Sequence, residues 1–233
     1  MKRYAIILAG GIGSRMGTET PKQFLCVANK PILIHTLERF YDFDKTLKII
    51  VVLPYEQRET WNELLNQYRC RIPHETVVGG NERFFSAQAG IIRAKRTAEA
   101  GDLIAIHDGV RMLVSKETIE RCYNTAAEHG TAIACMPCID SLRQCYSETE
   151  NHAVDRTQFV TIQTPQTFQA ELIIESYKQP YKPTFTDDAS VVENAGFPIH
   201  LVEGNIENIK ITTPTDLMTA EAVMKKGRRN KKQ

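Results

Sequence analysis

Short apolar runs recur along the chain and alternate with amphipathic stretches. The runs are rich in Ile, Val, Leu and Ala and are bounded by Gly, Pro or Asp, which is typical of buried β-strands. Between them, apolar residues recur at the spacing of a helix with one buried face. The pattern predicts strands at 4–10, 47–54, 74–80, 102–108, 131–137 and 198–204. It predicts helices at 32–42, 56–68, 82–99, 115–129, 168–178, 187–195 and 214–226.

Strands that alternate with helices are typical of an α/β fold. We therefore predict a mostly parallel, twisted sheet with helices on both faces, a Rossmann-like architecture. Ligands of such sheets bind beyond the carboxyl ends of the strands. This rule predicts a binding site among the loops that follow Ala9, Gly79 and His107, together with the loop before the last helix.

Residues 139–167 interrupt the alternation. The segment is polar, rich in β-branched residues and without a helical stripe, so it predicts a β-hairpin with its tip near 147–151. A hairpin of this length is seldom stable alone, and we expect it to pack on another surface. The chain, 1–233, is predicted to be one domain with a projecting arm at about 139–167 and a basic tail at 225–233.

The net charge is +1, but the basic residues are unevenly distributed along the chain. The tail holds six of the 29 Lys and Arg residues and no acid, which leaves 23 basic and 28 acidic residues, a net charge of −5, in the remainder. A negative body is a poor surface for nucleic acid. The apolar run after Met1 is too short for a signal peptide, and no stretch approaches the ~20 apolar residues of a membrane span. We expect a cytoplasmic protein that binds neither nucleic acid nor membrane.

The first predicted strand leads into a loop with few side chains. In YAIILAGGIGSRMGTETPKQ, Gly10, Gly11 and Gly13 allow backbone N–H groups to approach a ligand closely. Arg15 adds a planar set of donors for phosphate oxygens, and Lys22 adds a mobile positive charge. This combination suits a nucleoside triphosphate.

Two common glycine-loop motifs do not fit this loop. A P-loop requires Lys after its last glycine, and no Lys follows Gly17. The dinucleotide fingerprint requires a third Gly where this chain has Met16, so an NAD(P)-dependent oxidoreductase is disfavoured. The remaining pattern, Gly-Gly-x-Gly-x-Arg-Met followed by Pro-Lys, resembles that of the sugar-nucleotide and polyol-phosphate nucleotidyltransferases.

Two further predicted strands end in residues that suit phosphate chemistry. Asp108, in HDGVR, can hold Mg²⁺ against a triphosphate, and Arg111 can reach an anion from the same loop. Gly79–Gly80 precedes a predicted helix start with Ser86 one turn in, which suits backbone and hydroxyl contacts to a nucleobase. The alternatives are a turn cap for Asp108 and an ordinary surface ion pair for Arg83.

Motifs of this kind extend over nearly the full length of the chain. They are AGGIGSRM, PKQF, GGNERFFS, HDGVR, VDR, QTPQTF, TDDAS and VEGNIENIKIT-TPTDL. The set resembles the 2-C-methyl-D-erythritol 4-phosphate cytidylyltransferases, a polyol-phosphate cytidylyltransferase family of the non-mevalonate isoprenoid pathway. The resemblance implies an α/β nucleotidyltransferase fold, a Mg²⁺ cofactor, CTP and a polyol phosphate as substrates, and a homodimer interlocked through the hairpin arm.

The resemblance also implies roles for individual residues. The cations around the CTP phosphates would be Arg15, Lys22 and Lys210. The cytidine-binding positions would be Ala9, Gly10, Gly11, Gly80, Asn81 and Ser86. The residues near the metal and the polyol phosphate would be Asp108, Arg111, Ser141, Arg156 and Thr164.

The chain departs from the family pattern at a few positions. Gly109, Val110 and Met112 stand where the family usually has Ala, Ala and Pro. Ser141 replaces the usual Thr, and Asn81 often has Asp in its place. A sister group acts on ribitol 5-phosphate, and the N-terminal stretch is at least as close to that group, whereas VDR and TDDASVVENAG favour the methylerythritol enzymes. A ribitol-5-phosphate cytidylyltransferase is therefore the alternative, and a non-catalytic nucleotide-binding regulator is a more distant one.

Overall fold

The computed structural model describes residues 1–11 and 20–230, which form a central sheet and two small strand pairs. The strands of the sheet are β1 (Arg3–Leu8), β4 (Lys48–Leu53), β5 (Glu75–Val78), β6 (Leu103–Asp108), β7 (Thr131–Pro137), β10 (Val160–Gln169) and β11 (Leu201–Glu203). The small pairs are β2 (Cys26–Val27) with β3 (Lys30–Pro31), and β8 (Leu142–Cys145) with β9 (Asn151–Val154). In space the order of the sheet is β11-β7-β10-β6-β1-β4-β5.

Helices cover both faces of this sheet. In the described part of the chain they are α1 (Ile32–Phe43), α2 (Arg58–Gln67), α3 (Arg83–Lys95), α4 (Lys116–His129), α5 (Ala170–Ser176), α6 (Asp188–Asn194) and α7 (Pro214–Asn230). Ala5 and Ile7 of β1 belong to one core cluster with α1, α2 and α4. Ile6 and Leu8, which point the opposite way, belong to a second cluster with α3, α5 and α6. None of the helices described here is both long and apolar enough to cross a bilayer.

The direction of the strands decides which residues reach the binding edge. The pairs β4–β1, β1–β6, β4–β5 and β7–β11 are parallel, whereas β10 runs antiparallel to both β6 and β7. The predicted fold class, a mostly parallel sheet between helices, is confirmed. Because β10 runs against its neighbours, its first half lies at the edge where the parallel strands end.

The predicted extent of the hairpin, 139–167, is wrong. The projecting pair is only β8 with β9, and Val160–Gln169 returns as a strand in the middle of the central sheet. This strand is polar in sequence, yet Gln163 and Gln166 are buried, because residues from distant loops satisfy them. Asn208 Nδ2 donates to Gln163 Oε1 at 3.1 Å, and Gln166 Nε2 donates to Asp187 Oδ2 at 2.8 Å.

Candidate active site

The site begins where β1 and β6 end side by side. Leu8 and Asp108 are register partners in these parallel strands, so the loop after β1 starts next to the Asp108 carboxylate. The N–H of Gly109 donates to the carbonyl of Leu8 at 2.8 Å, which fixes the second loop against the first. Two adjacent strand ends therefore bring a glycine loop and an acidic side chain together.

A cleft opens at this edge, and we call it the first pocket. The structure brings together in it all six positions that the resemblance assigns to the cytidine, as well as Lys22, Lys210 and Asp108. Its lining residues are Leu8, Ala9, Gly10, Gly11, Lys22, Gln23, Gly80, Asn81, Glu82, Arg83, Ser86, Asp108, Val110 and Lys210.

The glycines after β5 are packed closely against the start of α3. A Cβ at Gly79 would lie 2.8 Å from Ser86 Oγ and 3.0 Å from Val52 Cγ1, so a larger residue at this position would displace its neighbours. The Ser86 hydroxyl donates to the carbonyl of Gly80 at 3.1 Å. Gly80 and the Ser86 hydroxyl thus give one part of the pocket lining little side-chain bulk.

Lys22 and Gln23 form the opposite side of the pocket, in a short 3₁₀ turn that begins at Lys22. Gln23 is fully buried, and its Nε2 donates to the carbonyl of Ala9 at 2.8 Å. This bond ties the turn to the glycine loop and keeps Lys22 at the pocket. Arg15 lies outside the described residues, so its assignment to the phosphates stays a prediction.

Asp108 lies among three cations. Its Oδ2 is 3.1 Å from Lys210 Nζ and 3.3 Å from Arg111 Nε, and its Oδ1 is 3.7 Å from Arg83 Nε. Burial by itself would raise the pKa of this carboxyl, but the neighbouring positive charges hold the pKa well below its ordinary value. Asp108 is therefore ionised in the free protein at neutral pH and can act as a metal ligand. The alternative of a simple turn cap does not account for these contacts.

His107, the residue before Asp108, contacts the residues around that carboxylate from inside the protein. The ring is fully buried, and burial lowers its pKa to about 4, so it is neutral. Its Nδ1 lies 3.0 Å from Thr164 Oγ1 and its Nε2 lies 3.2 Å from the carbonyl oxygen of Arg111. The N–H of Asp108 donates to the same Thr164 hydroxyl at 3.1 Å. These contacts give His107 a structural role beneath the strand end.

A second pocket adjoins the first. It is lined by Arg83, Asp108, Arg111, Ile162, Gln163, Thr164, Gln166, Thr186, Asp187 and Lys210. Three charged residues, Arg83, Asp108 and Lys210, line both pockets and so form their common border. Nη1 of Arg111 donates to the carbonyl of Asn208 at 2.7 Å, which links the border to the loop that carries Lys210.

Two of the predicted site residues lie away from both pockets. Ser141 and Arg156 flank the β8–β9 hairpin, and both are exposed. The guanidinium of Arg156 donates to the carbonyl of Ile139, within the same arm. Within the described residues of one chain, neither side chain lines the two pockets.

Sequence reasoning missed a buried ionic cluster beside the site. Arg83 is not an ordinary surface residue, because it donates to both carboxylate oxygens of Asp188, at 2.9 and 2.6 Å. Asp188 is fully buried and also accepts from the Tyr177 hydroxyl at 2.6 Å. The available signal is TDDAS, which by spacing alone indicates only a helix start. Asp187 does cap α6 by accepting from the N–H of Ser190, but the carboxylate of the next residue, Asp188, binds Arg83.

Anionic substrates are attracted to a border at which three cations surround one carboxylate, and the backbone-lined pocket beside it can accommodate a flat base. Together with a mostly parallel α/β sheet, these properties are typical of a nucleotidyltransferase. A match to a family model over residues 4–226 then identifies the family. The chain belongs to the 2-C-methyl-D-erythritol 4-phosphate cytidylyltransferase family and is an enzyme of the cytidylyltransferase class.

Relatives with the same description are similar to this chain over almost its whole length. The sequence is 48% identical over 224 residues to the 2-C-methyl-D-erythritol 4-phosphate cytidylyltransferase of Porphyromonas gingivalis, covering 96% of this chain and 98% of that protein. It is 45% identical over 224 residues to that of Bacteroides thetaiotaomicron, covering 96% of this chain and 100% of the relative.

Solved structures agree with the fold. The 2-C-methyl-D-erythritol 4-phosphate cytidylyltransferase of Thermus thermophilus is 28% identical and superposes with a TM-score of 0.76, covering 96% of this chain and 98% of the other. The 4-diphosphocytidyl-2C-methyl-D-erythritol synthase of Anaerococcus prevotii is 25% identical with a TM-score of 0.79, covering 96% of each chain.

Proposed function

We propose that the protein transfers CMP from CTP to 2-C-methyl-D-erythritol 4-phosphate. The products are 4-diphosphocytidyl-2-C-methyl-D-erythritol and pyrophosphate, in a step of the non-mevalonate isoprenoid pathway. The observation that carries the proposal is the common border of the two pockets, lined by Arg83, Asp108 and Lys210. A nucleotide in the first pocket and a polyol phosphate in the second would present their phosphates to the same charged groups. Membership of the family supports this assignment of the two substrates.

The reaction depends on alignment and charge neutralisation. The phosphate of the polyol is already an anionic nucleophile, so it can attack the α-phosphorus of CTP in line without a strong general base. Lys22 and Lys210, together with Arg15, would stabilise the charge that develops on the α-phosphate and the departing pyrophosphate. The neutral, buried His107 takes no part in proton transfer in this scheme.

We assign Asp108 as the protein ligand of Mg²⁺. Mg²⁺ commonly binds one or two carboxylates together with substrate phosphates and water, so one ionised carboxylate beside the phosphate cleft fits it. The described residues contain no group of three or more His, Cys, Asp or Glu side chains placed to hold a metal ion, so the remaining ligands would come from substrate and solvent. When bound, the metal would neutralise phosphate charge. Asp108, whose carboxylate faces Lys210 in the free protein, would hold the metal there.

The base is assigned to the glycine-lined end of the first pocket. Ala9, Gly10 and Gly11 on one side and Gly80 with Ser86 on the other offer backbone groups and one hydroxyl to the edge of the base. UTP presents an acceptor where CTP presents an amino donor, and a buried polar group left without a partner is penalised strongly. We therefore expect CTP to be preferred over UTP and ATP.

The arm is assigned to a homodimer interface. A two-stranded pair such as β8–β9 is marginal alone, and the segments around it expose apolar side chains, including Ile139, Tyr146 and Phe159. A second copy of the chain would cover them. Arg156 and Ser141, which lie outside the pockets of their own chain, would then reach the second pocket of the partner. The cytoplasmic location expected from the sequence stays a prediction.

The sister activity toward ribitol 5-phosphate is the alternative. The family match and the names of the relatives favour methylerythritol phosphate. A pyrophosphate-release assay with CTP and each polyol phosphate, with the product mass determined, separates the two. We expect release with the methylerythritol substrate and at least about tenfold less with ribitol 5-phosphate. Faster release with ribitol 5-phosphate would support the sister activity, and no release with either would leave only the nucleotide-binding regulator.

A further inference from the structure

Arg83 joins two carboxylates that belong to different parts of the fold. Nη1 and Nη2 of its guanidinium are directed at Asp188, at the start of α6, while Nε lies 3.7 Å from Asp108 Oδ1, at the end of β6. The residue itself is the first of α3 and lines both pockets. One planar side chain therefore faces the border of the site on one edge and a buried anchor on the other.

The anchor is held rigidly. Asp188 has no exposed surface, and besides Arg83 it accepts a hydrogen bond from the Tyr177 hydroxyl at 2.6 Å. The start of α6 is also tied to the central sheet, because Gln166 Oε1 accepts from the N–H of Ala189 at 2.9 Å and its Nε2 donates to Asp187 Oδ2 at 2.8 Å. The Asp188 carboxylate is thus fixed relative to β10, and the guanidinium that it binds is fixed with it.

The contacts of Asp108 are divided between its two oxygens. Oδ2 faces Lys210 and Arg111, at 3.1 and 3.3 Å, whereas Oδ1 faces Arg83. With the positive charge on the Oδ1 side removed or displaced, the carboxylate would be attracted toward the other two cations. The position of Arg83 therefore affects the direction in which Asp108 presents its oxygens to a phosphate-bound ligand.

We propose that Arg83 is a positioning residue, fixed by Asp188, that holds the Asp108 carboxylate between the first and second pockets. The inference rests on the proposed cytidylyltransferase activity, which it extends to a residue outside the implied set of ligands. The role requires a guanidinium, because the single ammonium group of Lys cannot donate to both oxygens of Asp188 and also keep its charge beside Asp108.

The test compares Arg83→Lys with Tyr177→Phe in the full-length protein. Both changes weaken the same buried cluster, and we expect each to lower Tm by about 3–10 °C. Tyr177→Phe leaves the two Arg83–Asp188 hydrogen bonds and the ring stacking on Phe84 in place. We therefore expect it to keep kcat within about twofold, whereas Arg83→Lys should lower kcat by about 10- to 100-fold with KM for CTP changed less than about threefold. Arg93→Lys is the matched control, because Arg93 lies on the same helix as Arg83 and pairs with Glu75 of β5. This change should alter neither kcat nor KM for CTP.

Crystal structures of the wild type and of Arg83→Lys give a readout that does not depend on catalysis. We expect the Asp108 carboxylate in the variant to turn toward Lys210 and Arg111. An unmoved Asp108, or a kcat for Arg83→Lys as high as that of Tyr177→Phe, would overturn the inference. An inactive wild type with a displaced Asp108 in the variant would refute the proposed function and leave the positioning role supported.

Discussion

Lys210 Nζ lies 3.1 Å from Oδ2 of Asp108, so the lysine is held by an ion pair at the border of the pockets in the free protein. Lys210 reaches this place from the loop before α7, and Asp108 from the end of β6. The ion pair keeps the lysine beside the position of the phosphates before any substrate arrives. The cation is thus preorganised by the fold, and less free energy is needed to position it in the transition state.

We expect Lys210→Ala to lower kcat by about 10²–10³, the scale of losing one preorganised charge at a transition state. Asp108 keeps Arg111 and Arg83 as partners in this variant, so the fold should be retained. The measurement is pyrophosphate release at saturating CTP. Lys178→Ala, which removes an exposed lysine paired with Glu175, is the control and should leave kcat unchanged. Near-normal turnover in a folded Lys210→Ala protein would remove Lys210 from the site.

Arg15 and Lys22 are the two cations that we assign to the CTP phosphates in the N-terminal region. We expect Arg15→Ala and Lys22→Ala each to lower kcat by about 10²–10³. Arg15→Lys should recover only part of this loss, because a point charge cannot make the bidentate phosphate contact of a guanidinium. Steady-state kinetics of the three variants, with circular dichroism to establish folding, provide the measurement. Full activity of Arg15→Lys would contradict the bidentate role.

Gly79→Ala should damage the nucleotide pocket. The added Cβ would lie 2.8 Å from Ser86 Oγ and 3.0 Å from Val52 Cγ1, so either the loop or the Ser86 side chain, which lines the pocket, must shift. We expect KM for CTP to rise by about tenfold, a loss of about 1.4 kcal/mol of binding free energy. Gly227→Ala is the control, because a Cβ there meets no atom within 4 Å. An unchanged KM in Gly79→Ala would show that this loop does not form the wall of the nucleotide site.

Arg156→Ala should raise KM for the polyol phosphate and change KM for CTP little, because Arg156 lies on the arm and lines neither pocket of its own chain. If the arm completes the partner's site, subunits carrying Arg156→Ala and Lys22→Ala should restore some activity when mixed, since one site of each heterodimer would be intact. Sedimentation establishes the dimer, and the mixed assay measures complementation. A fully active monomer, or no recovery after proven subunit exchange, would exclude a shared site.

Much of the fold follows from local pattern. The continuous apolar run of β1 predicts a strand that is buried on both faces, and Ala5 and Ile7 do pack in one cluster while Ile6 and Leu8 pack in the other. The rule that ligands bind beyond strand ends predicts a site among the loops after Ala9 and His107, and the structure has a cleft there that Ala9 and Asp108 line. These features follow from short apolar runs and from their alternation with helices, which are properties of the local sequence.

The features that sequence reasoning missed depend on partners far apart in the chain. Gln163 and Gln166 lie in a polar segment that predicts a projecting hairpin, and only the fold supplies Asn208 and Asp187 as hydrogen-bond partners in the central sheet. In the same way, no local pattern pairs Arg83 with the buried Asp188. A polar residue in a core is recognisable only when its partner is known.

The reversed direction of β10 makes the arm an exchangeable insertion. β7 ends at Pro137 and β10 starts at Val160, and these two residues are register partners, so the segment between them leaves and re-enters the sheet at one place. Its tip, between β8 and β9, can therefore be lengthened, shortened or replaced without altering the packing of either core cluster. Within this architecture, the interface proposed for the arm can change independently of the central sheet and its pockets.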